Sequence, residues 1–321
     1  MAENITTNVN KNQPINEVDK NTGLNPFDKN NDDGSTTPRD TDITQNPEAE
    51  NADDILVTIK SPVPVVVLFG ARTSGKTMTL VRLTRFLENN GYTVTPDEIF
   101  RQSDSKYYKD MCKSFSANVN KQHAANATAA MNFMLLHVRK KGGGPMVCQI
   151  LEAPGEHYFD VTIDPDNQNM TFLPYIERII KDDHLKIWVF IVEVDWKDES
   201  TRLAYAKRIA KMRNKIKARD KIILMCHKAD LKEDTHYHKG YPNKMEFYKT
   251  IKEQYPAVFD SNKNVSPLKR LFSPYDMDFV VFSAGSFHGP AGHQTYNEGE
   301  EHFPKNLWNT ILKKVRGGWF S

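Results

Sequence analysis

Residues Val63 to Thr77 read Val-Pro-Val-Val-Val-Leu-Phe-Gly-Ala-Arg-Thr-Ser-Gly-Lys-Thr. The β-branched apolar run predicts a buried strand, and Thr77 to Asn89 carries a helical period directly after it. Between the two, Gly70, Gly75, Lys76 and Thr77 meet the spacing G-x-x-x-x-G-K-[ST]. The glycines let the backbone curl, so that successive N–H groups, those of Thr73 and Ser74 included, converge on a phosphate. Lys76 is then placed to reach the β- and γ-phosphates of a nucleoside triphosphate, and the Thr77 hydroxyl to hold Mg²⁺. A chance glycine-rich turn is the plain alternative, and the strand before and helix after it argue against that.

The chain has 321 residues. Residues 1–53 are rich in Asn, Asp, Thr, Lys and Pro with scarcely an apolar pair, a composition that cannot offset the entropy of ordering. They are expected to form a disordered tail, without the apolar core of a signal peptide or the Arg-rich pattern of a transit peptide. Residues 54–321 are expected to form a single domain. No apolar run is long enough to cross a bilayer. The three cysteines, Cys112, Cys148 and Cys226, lack metal-type spacing, and the last two lie inside apolar runs. Free thiols and a reducing cytoplasm are therefore expected. A net charge of +2 is too small to imply nucleic acid or membrane as a partner on its own.

Beyond helix one, the polar stretch from Tyr92 to about Asn126 reads as a loop with one short helix at most. Met131–Val138 and Met146–Leu151 are expected strands joined by a glycine-rich hairpin, Arg139 to Pro145. Helices are expected over Leu173–Lys181, Thr201–Arg219 and Pro304–Val315, and further strands over Ile187–Val194, Lys221–Cys226 and Phe279–Phe282. Strand–helix alternation with one hairpin predicts an α/β domain. Its sheet would be mostly parallel and six-stranded, with one antiparallel strand and helices on both faces. Ligands bind such sheets at the carboxyl ends of the strands.

Three further motifs fall at those ends. The hairpin's second strand runs into Glu152-Ala153-Pro154-Gly155-Glu156-His157, the strand Ile222–Cys226 into His227-Lys228-Ala229-Asp230, and the last strand into Ser283-Ala284-Gly285. In this order, from about Val63 to Val315, the chain resembles the G-domain GTPases, the Ras-like and translation-factor class, as a divergent member of bacterial or phage type. The resemblance implies a P-loop NTPase G domain binding GTP or GDP with Mg²⁺. Glu152 stands where the family has a metal-holding Asp, and Gly155 matches the glycine whose N–H senses the γ-phosphate. Glutamate carries one extra methylene, so the metal geometry must differ. Thr128 has the position of the family's switch threonine, a further metal and γ-phosphate ligand. Lys228 and Asp230 match the guanine-specificity element, with His227 in place of Asn or Thr, a substitution that also resembles the Rag-type branch. An Asp there can accept from guanine N1–H and the 2-amino group, donors that adenine lacks. Ser283-Ala284 resembles the element whose backbone N–H contacts the guanine 6-oxygen.

Hydrolysis is less well supplied. Glu156 occupies the place of the family's water-orienting Gln or His, and His157 follows one residue later. Of the two, His157 is the better candidate, because a second anion would repel the γ-phosphate. Arg72 stands in the phosphate loop, either as a cation for the transition state or pointing outward to pair with an acid. The expected activity is slow GTP hydrolysis, in a switch for an unknown effector. The rivals are an ATP-binding P-loop ATPase or kinase, and a nucleotide-binding interaction module that does not hydrolyse. The basic run Lys207 to Arg219 is read as a solvated helix face in preference to a contact for nucleic acid or anionic membrane. His236, His238, His288, His293 and His302 are read as surface histidines. Trp319 and Phe320 extend past the last helix.

Overall fold

The computed structural model describes residues 55–101, 106–120, 133–158, 172–288 and 295–317. The expected tail (residues 1–53), Thr128, His293, Trp319 and Phe320 lie outside these residues.

A seven-stranded sheet runs in the order β2-β3-β4-β1-β5-β6-β9. Its strands are β1 (Val65–Phe69), β2 (Tyr92–Pro96), β3 (Met134–Lys140), β4 (Met146–Glu152), β5 (Lys186–Glu193), β6 (Lys221–His227) and β9 (Asp278–Val281). β4, β1, β5, β6 and β9 pair in parallel, and β3 is antiparallel to both of its neighbours, β2 and β4. One strand thus runs against the rest, as expected, but the sheet has seven strands and not six. The added strand is β2, in a stretch read from sequence as loop. Of Tyr-Thr-Val-Thr-Pro only Val94 is buried, so the edge strand lacks an apolar alternation.

The helices are α1 (Lys76–Asn89), α2 (Lys106–Asn120), the single turn α3 (Gly155–Tyr158), α4 (Pro174–Lys181), α5 (Glu199–Arg213), the turn α6 (Glu233–His236), α7 (Lys244–Gln254), α8 (Pro256–Ser261), α9 (Pro267–Phe272) and α10 (His302–Gly317). All eight residues of β5 are buried, which requires cover on both faces of the sheet. Phe69 supplies the centre of one layer: its ring lies 4.4 Å from Tyr158 and 5.2 Å from Phe190, edge-on to the latter.

The polar stretch after β2 also holds a full helix. Tyr108, Met111, Cys112, Phe115 and Val119 recur at helical spacing and are all buried, so α2 has a narrow apolar face in a polar composition. The basic run is shorter as a helix than expected, because α5 stops at Arg213. Nor is it wholly solvated. Arg208 is buried, donates from Nε to the Tyr158 carbonyl at 2.9 Å and lies 3.9 Å above the Phe172 ring. Cys112, Cys148 and Cys226 are free and buried. Among the described residues no helix is long and apolar enough to cross a membrane.

The described residues also form two small hairpins, β7–β8 (Tyr237–His238 with Tyr241–Pro242) and β10–β11 (Gly285–His288 with Thr295–Glu298). The second is tied to α1, where Arg82 and Arg85 both pair with Glu298.

Candidate functional site

β1, β4, β5, β6 and β9 end on the same edge of the sheet, and every motif singled out above follows one of these ends. The loop after β1 turns into α1 through Gly75, whose φ of 88° is in the left-handed region that favours glycine. Lys76 folds back across the loop. Its Nζ donates to the Gly70 carbonyl at 3.0 Å and the Ala71 carbonyl at 2.8 Å, and the side chain is buried. A cation anchored in this way is aimed before any anion arrives. Ser74 Oγ is buried and has no hydrogen-bond partner among the described residues. Arg72 is exposed and pairs with no acid among the described residues. Thr73 is exposed as well, with its hydroxyl donating to the Arg72 carbonyl at 2.6 Å.

The first turn of α1 meets the end of β4. Thr77 Oγ1 lies 3.3 Å from Glu152 Oε1, and the other carboxylate oxygen of Glu152 accepts from the Phe133 N–H at 3.3 Å. Both residues are buried. A hydroxyl and a carboxylate oxygen this close are hard donors of the kind Mg²⁺ accepts, since it takes one or two protein oxygens and fills its other positions with water and phosphate. The residues present therefore fit the metal. The extra methylene of Glu152 does not keep its carboxylate from Thr77.

Gly155 begins the single turn α3 and lies directly on the loop after β1. A Cβ there would overlap the Arg72 nitrogen and lie 2.6 Å from the Ala71 oxygen. Only glycine permits this approach of backbone to backbone. The ring of His157, two residues on, is turned onto α4, where Nδ1 hydrogen-bonds to the hydroxyl of the buried Tyr175. Tyr175 in turn packs on Phe133, with ring centroids 4.3 Å apart. Of Glu156 the structure describes the backbone alone.

The third corner joins β6 to β9. Ser283 donates from Oγ to Asp230 Oδ1 at 2.5 Å, and the same Oγ accepts from the Gly285 N–H at 3.1 Å. The Ala229 N–H donates to the Phe282 carbonyl at 3.2 Å, locking the two loops together. Lys228 adopts a φ of 60°, unusual for a residue with a side chain, and its ammonium lies 2.5 Å from Glu193 Oε2 at the end of β5. Tyr255 holds that strand end, donating to the Glu193 carbonyl at 2.8 Å and accepting from its N–H at 3.2 Å.

His227 links this corner to the phosphate loop. Its ring is buried between Gly75 and Phe282, whose ring centroid is 5.3 Å away. Burial pushes its pKa down to about 3, with the charge of Lys228 adding to the effect, so the ring is neutral at ordinary pH. Neither ring nitrogen has a hydrogen-bond partner among the described residues.

The structure thus brings Gly70, Thr73, Ser74, Gly75, Lys76, Thr77, Glu152 and Gly155 to one corner. His227, Lys228, Asp230, Ser283 and Ala284 form an adjoining one. Sequence reasoning missed Glu193, although a lone acid at the end of an apolar strand was a visible signal. Phe133 and Tyr175 gave none.

No protein-family model and no curated protein matches the chain. Among solved structures, Toc33 of Arabidopsis thaliana in complex with Mg²⁺ and GMPPNP is similar at 12% identity and a TM-score of 0.43, covering 80% of this chain and 85% of that one. The Ski7 GTPase-like domain of S. cerevisiae, bound to GDP and inorganic phosphate, is similar at 13% identity and a TM-score of 0.39. That match covers 78% of this chain and 50% of the other. The candidate site stands on the residues of this chain.

Proposed function

We propose that the protein binds a guanine nucleoside triphosphate together with Mg²⁺, hydrolyses it slowly and acts as a switch for an effector. One observation carries the choice of base: the Asp230 carboxylate, fixed by the Ser283 hydroxyl at 2.5 Å, follows two residues after Lys228, whose stem can cover a base face. A carboxylate held by a single donor keeps lone pairs for two N–H groups of guanine. The phosphates would lie along the Gly70–Thr77 loop, with Lys76 opposite their charge. Thr77 and Glu152 would hold Mg²⁺, which when bound neutralises charge on the phosphate oxygens. Gly155, packed on that loop, would place its backbone beside the terminal phosphate.

The proposed turnover is slow because the candidate water-positioning ring, His157, is bonded to Tyr175. The same contact favours a second reading, a nucleotide-binding module that does not hydrolyse. A reducing, cytoplasmic setting belongs to the proposal and is supported by three free, buried thiols.

Calorimetric titration with GTP, GDP and ATP, with and without Mg²⁺, tests the main reading. Binding of GTP and GDP but not ATP, strengthened by Mg²⁺, is expected. Equal affinity for ATP would point to the ATPase or kinase rival. Phosphate release under single-turnover conditions then separates slow hydrolysis from none.

A further inference from the structure

Between α8 and β9 the chain leaves the body of the domain. An antiparallel bridge between Lys263 and Tyr275 closes the excursion at its base. Asn264 braces it, donating from its backbone to the Pro274 carbonyl at 3.0 Å and accepting from Arg270 Nε at 2.9 Å. Within the loop, Ser266 caps α9 by accepting from the Lys269 N–H at 3.5 Å. The protrusion is therefore an ordered one.

Its tip is apolar and uncovered. Val265, Leu268, Leu271 and Phe272 are 91%, 73%, 80% and 91% exposed, and no residue of α9 is buried. Leu268, Leu271 and Phe272 share one helical face, with Val265 one turn earlier. Single exposed leucines are ordinary, but four large apolar side chains on one short protrusion form a patch.

Acids and bases both lie at its base, and three of the acids are paired: Asp260 with Lys263 at 2.7 Å, Asp276 with Arg213 at 3.4 Å, and Asp278 with Lys314 at 2.7 Å. Lys269 and Arg270 on α9, and Lys252 above the Tyr275 ring, remain as excess positive charge. Four strongly exposed apolar side chains flanked by Lys269 and Arg270 match an apolar layer beneath an anionic surface.

We propose that Val265–Phe272 is a docking finger for an anionic lipid bilayer. The four apolar side chains enter the boundary between headgroups and acyl chains, while Lys269 and Arg270 reach back to the headgroup phosphates. A patch this small gives weak, reversible attachment, which suits a switch. The surface is separate from the nucleotide site and does not depend on that reading.

Sedimentation of the full chain with vesicles tests it. The protein is expected to co-sediment with vesicles rich in phosphatidylserine, not with pure phosphatidylcholine, and to be released by high salt. Leu271→Asp with Phe272→Asp should reduce the bound fraction about tenfold or more, and Lys269→Glu should reduce it in part. Since these side chains are exposed, each variant should keep the wild-type circular dichroism and melting curve. Wild-type protein that stays in the supernatant with the anionic vesicles overturns the proposal. So does co-sedimentation that the Leu271 and Phe272 substitutions leave unchanged, or a finger that captures a protein but no vesicle.

Discussion

The imidazole of His227 lies over Cα of Gly75, so close that a methyl group there would sit 2.5 Å from Cε1 and 2.7 Å from Nε2. The end of β6 is thereby packed on the Gly70–Thr77 loop, and His227 fills the gap between the two corners.

This contact makes stability depend on acid. The folded-state pKa of His227, about 3, lies below its ordinary value of 6.5. Between those pH values the unfolded chain binds a proton that the folded chain does not, so stability falls as the pH falls. The loss is at most about 1.4 kcal/mol per pH unit for one group. His227→Asn should flatten the fall in melting temperature from pH 6.5 towards pH 4, whereas an unchanged slope would place the acid sensitivity elsewhere.

Lys76→Ala should cut triphosphate affinity on the order of 100-fold, the scale of a lost charge-assisted hydrogen bond to phosphate. Circular dichroism should stay the same, because the contacts to the Gly70 and Ala71 carbonyls lie within the loop and leave the strands and helices intact. Retained affinity would mean that the phosphates lie elsewhere.

Gly155→Ala should force α3 off the loop, since the added methyl overlaps Ala71 and Arg72. Overpacking of about 1–3 kcal/mol is expected at such a contact. If Gly155 stands by the terminal phosphate, GTP affinity falls by about tenfold or more and GDP affinity changes less. An equal loss for both nucleotides would assign Gly155 to general packing.

Ser283→Ala removes the donor that fixes Asp230. A weakening of guanine nucleotide binding by about tenfold is expected, the worth of one such hydrogen bond. The GTP:GDP ratio should not move, because Ser283 is remote from the phosphates in the proposed arrangement.

The phosphate loop, the hairpin and the Asp230 and Ser283 elements were legible because each is local: a short pattern of residues at the end of an apolar strand. Tyr92–Pro96 and α2 were not, since their few apolar residues are diluted in polar sequence and only burial against α1 and β3 reveals the pattern. The site shows the same division. That Lys76 and Thr77 line the loop follows from spacing. That Lys228 pairs with Glu193 and His157 with Tyr175 depends on side chains far apart in sequence, which spacing does not record. Spacing places Arg72 in the loop without assigning it a partner, and its side chain is exposed with no acid paired to it among the described residues.

Base recognition by Asp230 is the centre of the account, and exchanging its chemistry tests it most directly. In Asp230→Asn the side chain offers a donor and an acceptor in place of two acceptors, which suits xanthine better than guanine. Competition against a fluorescent guanine nucleotide should show GTP affinity falling by about 100-fold and XTP binding appearing in the variant alone. Unchanged GTP affinity in Asp230→Asn would contradict the account.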